Sequence, residues 1–149
     1  MIDAKLIVSA TNAEYTGENI EFTGLTTDSR AVKAGELFVA FSGETFDGHN
    51  YCAKAVELGA TGVLVSKDVE GLPEDVAVFK VPNTLKAFQE IARAYRRSFA
   101  DLKVFAITGS NGKTSTKDLL AACLGAKYNV VKTQGNFNNE IGLPKTLLN

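Results

Sequence analysis

The chain has 149 residues, of which 45% are hydrophobic and 22% charged, with 16 Lys plus Arg against 17 Asp plus Glu and a formal net charge of −1. That length suits about one domain, or one small domain with part of another, and the composition is globular rather than disordered. Charge is balanced, with no block of one sign, so electrostatics gives no reason to expect a nucleic acid or an anionic membrane as partner.

No apolar stretch reaches the roughly 20 residues of a membrane span. The N-terminal MIDAKLIVSATNAEY lacks the basic start and long apolar centre of a secretory signal. Cys52 and Cys123 lie far apart, in no metal-ligand spacing, and each falls in a helical apolar pattern. Two buried free thiols in a reducing compartment are therefore expected, and a cytoplasmic location with them.

In chain order, KLIVSA fits a short helix or a strand equally well. IEFTGLTTDSR predicts a short strand entering a polar turn, and GELFVAF (35–41) a compact apolar strand bounded by Gly35 and by Ser42 and Gly43. HNYCAKAVELGA has helical spacing through Tyr51, Ala55, Val56 and Leu58, with Gly59 placed as its C-terminal cap. TGVLVS and VAVFKV predict two further strands, separated by the turn-rich KDVEGLPED. An amphipathic helix follows Pro82, capped by Asn83 or Thr84. Leu85, Phe88, Ile91, Ala92, Tyr95 and Phe99 fall on one face, and Lys86, Glu90, Arg93 and Arg97 on the other.

Beyond it, KVFAIT predicts a strand, TSTKDLLAACLGA a helix closed by Gly125, and YNVVKT another strand. Strand, loop, helix and strand make a βαβ unit, which implies a parallel sheet. The fold class is therefore α/β. A division in or around the helix at 83–100 separates two units, taken here as residues 1–83 and 84–149.

Between the last predicted strand and helix lies TGSNGKTSTKDLL (108–120). A phosphate-binding loop needs glycines that let backbone N–H groups approach the phosphates, and a helix N-terminus behind them. Gly109 and Gly112 supply that freedom, Lys113 the charge for the β- and γ-phosphates, and Thr114 a hydroxyl for Mg2+. The strict pattern needs glycine at position 107, where Ile107 stands, so this is a variant loop.

AITGSNGKTSTK resembles the ATP-binding loop of the Mur ligases, ATP-dependent amide-forming enzymes of peptidoglycan precursor synthesis. TGLTTDSRAVKAGELFVAFSGETFDGHNYCAKAVELGA (23–60) resembles the substrate-docking domain of the later-acting members. TQGNFNNEIGLPKTLLN (133–149) resembles a stretch after the second strand of their central domain. The resemblance implies a small N-terminal α/β docking domain for UDP-MurNAc (1–83), followed by the beginning of a P-loop, parallel-sheet ATP-binding domain (84–149). It further implies that the chain is an N-terminal fragment, inactive alone, with an open sheet edge prone to self-association and poor order beyond about residue 100.

GNFNNEIGLP is most similar to the member that adds D-alanyl-D-alanine to the UDP-MurNAc-tripeptide; the diaminopimelate- or lysine-adding member is next. A non-catalytic ATP-binding module is the reading from another class. For a ligase the resemblance implies ATP and Mg2+ as cofactors, Lys113 as the catalytic residue, and Thr114 as the metal contact. Thr108, Ser110, Asn111 and Ser115 complete the nucleotide loop with Gly109 and Gly112. It places Ser29 and Arg30 against the uridine diphosphate, Gly43, Glu44 and Thr45 near the uracil nucleotide, and Thr133, Asn136 and Asn139 in the cleft between the substrates.

Without the resemblance, TTDSR reads as a self-bonded turn, SGETFDGHN as a loop with Asn50 or His49 capping the next helix, and GNFNNEIG as a connector. Glu140 is a candidate helix-start carboxylate. His49, the only histidine, is expected in a structural or substrate-contact role rather than a catalytic one.

Overall fold

The structure, a computed structural model, describes residues 1–43, 45–135 and 139–148. The Asp3 carboxylate, at the end of strand β1 (Ile2–Asp3), accepts from the Leu6 N–H at 2.8 Å and caps helix α1 (Ala4–Thr11). KLIVSA is thus helical, with Ala4 and Ile7 buried at a one-turn spacing. β1 pairs antiparallel with β2 (Glu21–Phe22).

The main sheet is parallel and four-stranded, in the order β3 (Leu25–Thr26), β4 (Leu37–Val39), β5 (Gly62–Val65) and β6 (Ala77–Lys80). Every residue of β4 and β5 is buried. Their continuous apolar runs therefore have a physical cause, since both faces of a parallel sheet are covered. Leu37, Val39, Leu64 and Phe79 share one core with Ile7 of α1 and with Ala87, Phe88 and Ile91 of α3 (Thr84–Arg97). Phe38, Ala40, Val63 and Val65 form the other core with Cys52 and Ala55 of α2 (Cys52–Glu57).

Asn83 caps α3, accepting from the Lys86 N–H at 2.9 Å. Thr84 is buried and donates its hydroxyl to the Ala40 carbonyl at 2.9 Å, tying the end of β4 to the helix start. The predicted stripe holds at Phe88, Ile91 and Ala92, and Ala87 adds to it; Phe99 lies beyond the helix and is exposed.

The helix read from HNYCAKAVELGA is interrupted. A 3-10 turn (Gly48–Tyr51) precedes α2, so Cys52 and Ala55 face inward while Tyr51 and Leu58 face solvent. The tighter turn advances the side chains out of helical phase. Gly59 has φ +114°, and a Cβ there would lie 3.1 Å from the Ala34 Cα.

The second half departs further from expectation. Helices α4 (Lys113–Gly125) and α5 (Gly142–Leu147) form, but among the described residues no strand follows β6. KVFAIT and YNVVKT are not strands, and the expected second parallel sheet, with its open edge, is not built. A parallel strand must bond a neighbouring strand, and neither run has one; a helix satisfies its own backbone.

No residue of α4 is buried, so Cys123 is exposed, against the expectation of two buried thiols; only Cys52 is buried. α5 packs on α3, where Gln89 Nε2 donates to the Glu140 carbonyl at 3.1 Å. Ile141 and Leu148 reach the first core. The α/β class holds, with every strand among the described residues ending by Lys80.

Candidate functional site: a sheet edge and a phosphate loop

Because β3 to β6 run parallel, their carboxyl ends share one edge, the usual place for ligands in open α/β sheets. The turn at 26–30 follows β3, and the loop at 42–50 follows β4. In the turn, Arg30 forks onto Asp28, Nε to Oδ1 at 2.9 Å and Nη2 to Oδ2 at 2.8 Å, and the Arg30 N–H also donates to Oδ1. The guanidinium holds the Asp28 carboxyl well below the usual carboxylate range. Arg30 thus braces the turn with its side chain 87% exposed, and Ser29 beside it is half-buried.

The 42–50 loop is organised by Asp47. Its Oδ1 accepts from the Ser42 hydroxyl, the His49 N–H and His49 Nδ1, and its Oδ2 from the Lys67 ammonium. Lys67 first, then His49, holds the Asp47 carboxyl far below its ordinary range. His49 is buried, and its Nε2 lies 2.9 Å from the Ser66 backbone N. An amide can only donate, so Nε2 is the acceptor and the ring proton sits on Nδ1, facing Asp47 at 2.6 Å. His49 pins the loop to the end of β5. Asp47, not His49 or Asn50, caps the 3-10 turn. Gly43 and Thr45 are exposed; Glu44 lies outside the described residues. Sequence reasoning missed Asp47 and Ser66, and only the Asp two positions before the lone His hinted at the first.

In the phosphate loop, Gly109 and Gly112 have φ of +149° and +76°. A Cβ on Gly112 would meet nothing within 4 Å, so its left-handed backbone, not space, calls for glycine there. Gly112 opens α4 without a side-chain cap, and the first-turn amides from Lys113 to Ser115 mark an uncapped, partly positive helix start. Lys113 Nζ donates to the carbonyls of Gly109 at 2.6 Å and Ser110 at 3.4 Å, arching over the loop.

All eight residues from Thr108 to Ser115, with Asn111 and Thr114 among them, are exposed. The loop's charged group is an ammonium, and it contains no carboxylate. That donor set fits a polyphosphate; to a metal the loop offers only neutral oxygens, the Thr114 hydroxyl among them. Among the described residues no group of three or more His, Cys, Asp or Glu gathers as a metal site.

Lys117 Nζ donates to the Thr133 carbonyl at 2.7 Å, and Lys132 Nζ to Asp118 Oδ1 at 2.7 Å, which fastens α4 to residues 132 and 133. Asn139 Oδ1 accepts from the Gly142 N–H at 2.7 Å, so Asn139 rather than Glu140 serves the start of α5. Asn136 lies outside the described residues. The described predicted residues thus fall at the sheet edge, at the α4 start with Thr133 fastened to α4, and, for Asn139, at the start of α5.

Residues 21–96 match the Mur ligase family, catalytic domain, and residues 107–149 match the Mur ligase middle domain. The chain is 46% identical to the UDP-N-acetylmuramoyl-tripeptide–D-alanyl-D-alanine ligase of Synechocystis, over 95% of this chain and 30% of the relative. The enzyme of the same name from Bacillus subtilis is 44% identical, over 95% and 31%. Among solved structures, the diaminopimelate–D-alanyl-D-alanyl ligase of Acinetobacter baumannii superposes with a TM-score of 0.85 at 33% identity, over 97% of this chain and 32% of that one. MurF ligase from Thermotoga maritima in complex with ADP gives 0.73 at 35%, over 85% and 29%. The chain spans about a third of the length of these relatives. With one family match across half its length and a second over the phosphate loop, the chain belongs to the Mur ligase family.

Proposed function

We propose that this chain is part of a cytoplasmic, ATP-dependent ligase that adds D-alanyl-D-alanine to a UDP-MurNAc-tripeptide during peptidoglycan precursor synthesis. The specificity follows the relatives named above, and the loop at 108–115 carries the chemistry. Its central observation is the Lys113 ammonium over the Gly109 and Ser110 carbonyls at the start of α4. An incoming triphosphate exchanges those carbonyls for its own oxygens.

A free carboxylate is a poor acyl donor because its leaving group would be oxide. Transfer of the γ-phosphoryl of ATP to the substrate carboxylate makes an acyl phosphate; the dipeptide amine adds to its carbonyl carbon, and phosphate departs. No protein nucleophile is required. Lys113 and the first-turn amides neutralise charge on the phosphoryl group and hold it in place. Thr114 would hold Mg2+, which would supply further charge neutralisation. Thr108, Ser110, Asn111 and Ser115 complete the nucleotide contacts.

Ser29, Arg30, Gly43, Glu44 and Thr45 dock the uridine diphosphate, supported by the shared carboxyl edge of β3 and β4. Thr133, Asn136 and Asn139 are assigned as contacts to the two substrates. The docking unit is taken as residues 1–83 and the ATP-binding unit as residues 84–149, with the apolar face of α3 packed in the first core. Among the described residues no helix is long and apolar enough to cross a membrane. Val104, Phe105, Tyr128 and Val131 are each more than half exposed, which supports self-association through apolar side chains rather than a sheet edge.

Calorimetric titration of the 149-residue chain tests this reading. Mg-ATP and UDP-MurNAc-tripeptide should each bind, and Lys113→Ala should abolish the first alone. A wild-type chain that takes up neither would sink it.

A further inference from the structure

α4 carries the phosphate loop, yet no residue of it is buried, so apolar packing does not hold it in place. Its hold on the chain beyond it is polar and comes from two lysines. Lys132 Nζ meets the Asp118 carboxylate at 2.7 Å, with both side chains 48% exposed. Water competes for an ion pair so open, and such a pair fixes little.

Lys117 is different. It stands one turn beyond Lys113 on the same helix, and it is half-buried where residues 111–116 are all exposed. Its Nζ donates to the Thr133 carbonyl at 2.7 Å, with the side chain only 20% exposed. A hydrogen bond from a charged donor, sheltered from water, is stronger than a neutral one. Asp118 Oδ1, at 3.8 Å, lies beyond hydrogen-bond reach, so that carbonyl is the one partner of the ammonium among the described residues. Because the acceptor is backbone, the bond fixes where the chain runs at residue 133.

Two ammonium groups on neighbouring turns thus have separate duties. Lys113 arches over the loop, and Lys117 grips the segment beyond the helix. A nucleotide that draws Lys113 off the Gly109 and Ser110 carbonyls reorders the first turn of α4, and the next turn is bonded to residue 133.

We infer that Lys117 is a positioning residue that holds the Thr133 segment at a set distance from the phosphate loop and passes nucleotide binding on to it. This role rests on the function proposed above, in which ATP occupies the loop and Thr133 contacts a substrate. Phosphoryl transfer depends on such placement, because a misplacement of about 1 Å can cost about a hundredfold in rate.

The chain contains no tryptophan, so Gln134→Trp, at an exposed position beside Thr133, installs a single indole reporter. In this parent, Mg-ATP should shift the indole emission. Adding Lys117→Met, which keeps the length of the side chain and removes the ammonium, should abolish the shift. Calorimetry should still find Mg-ATP bound within about threefold of the parent affinity. Lys117→Arg, which keeps a donor for the carbonyl, should restore the shift. Thermal melts should agree across all of them, since Lys117 lies outside both cores. A parent that binds Mg-ATP without a shift, or a shift that survives Lys117→Met, overturns the positioning role and leaves nucleotide binding intact. Loss of Mg-ATP binding in Lys117→Met also overturns it, since the ammonium would then be a phosphate ligand. A parent that binds no Mg-ATP overturns the nucleotide reading and the positioning role together.

Discussion

VAVFKV and KVFAIT look alike on paper, each a six-residue run rich in β-branched and aromatic residues, yet only the first is a strand. In the first, Ala77 and Phe79 are buried, and the backbone pairs with β5 from Gly62↔Ala77 to Val65↔Lys80. In the second, Val104 and Phe105 are 54% and 60% exposed and no ladder forms. A strand is a promise that a neighbour must keep, whereas a helix closes its own hydrogen bonds. α4 shows the other side of the contrast: it forms from Lys113 to Gly125 with no residue buried.

The largest effects should separate the two regions by stability. Phe79→Ala, at a wholly buried ring packed on Tyr15 and Phe22, should cost about 3–5 kcal/mol in chemical denaturation of the first unit. Leu119→Ala, in α4 and 71% exposed, should stay within about 0.5 kcal/mol. Equal losses would break the comparison. Next, Thr84→Val keeps the volume but leaves the Ala40 carbonyl without its buried donor, and should cost about 1–3 kcal/mol by the same measurement.

Gly112→Ala sharpens the contrast within α4. No clash arises, so only the left-handed backbone is penalised, by about 1–2 kcal/mol. That loss should appear as faster exchange of the α4 amides from Thr116 onward, with the global melt unmoved.

The smallest effect is one of pH. The Asp47 carboxyl is held down foremost by Lys67 and then by His49, so its folded pKa lies below the unfolded one. Its contribution is fully present above the ordinary carboxylate value of about 3.9 and falls away as the pH drops below it through the folded value. Asp47→Asn should flatten that acid limb between pH 4 and the acid extreme, by about the span in which carboxylates protonate. An unchanged limb would show that Asp47 contributes nothing to it.

The parts legible in the sequence were those fixed by near neighbours. Asn83 caps α3 as its position after Pro82 predicts, and Gly109 and Gly112 take the positive φ for which glycine was expected there. The apolar runs of β4, β5 and β6 were readable because buried parallel strands need no polar alternation. KLIVSA was ambiguous because so short a run fits both periodicities, and the Asp3 cap with the packing of Ile7 decides for the helix.

Other features depend on distant residues. Cys123 lies in a helical apolar pattern, but periodicity names a face without saying whether anything covers it. A structural role was among those expected for His49, but its partner was hidden, because that partner is Ser66, seventeen residues on. Of the site, the chemical types and the self-bonded turn at Arg30 were visible, whereas the bracing duty of Asn139 was not. Both residues spend hydrogen bonds on their own turns.

Hydrogen exchange of the 149-residue chain, with and without Mg-ATP, tests the central claim most directly. The account predicts that β4, β5 and β6 are protected in both states, and that protection added by nucleotide appears at residues 108–116 and vanishes in Lys113→Ala. Added protection elsewhere with none at 108–116, or protection that survives Lys113→Ala, would contradict it.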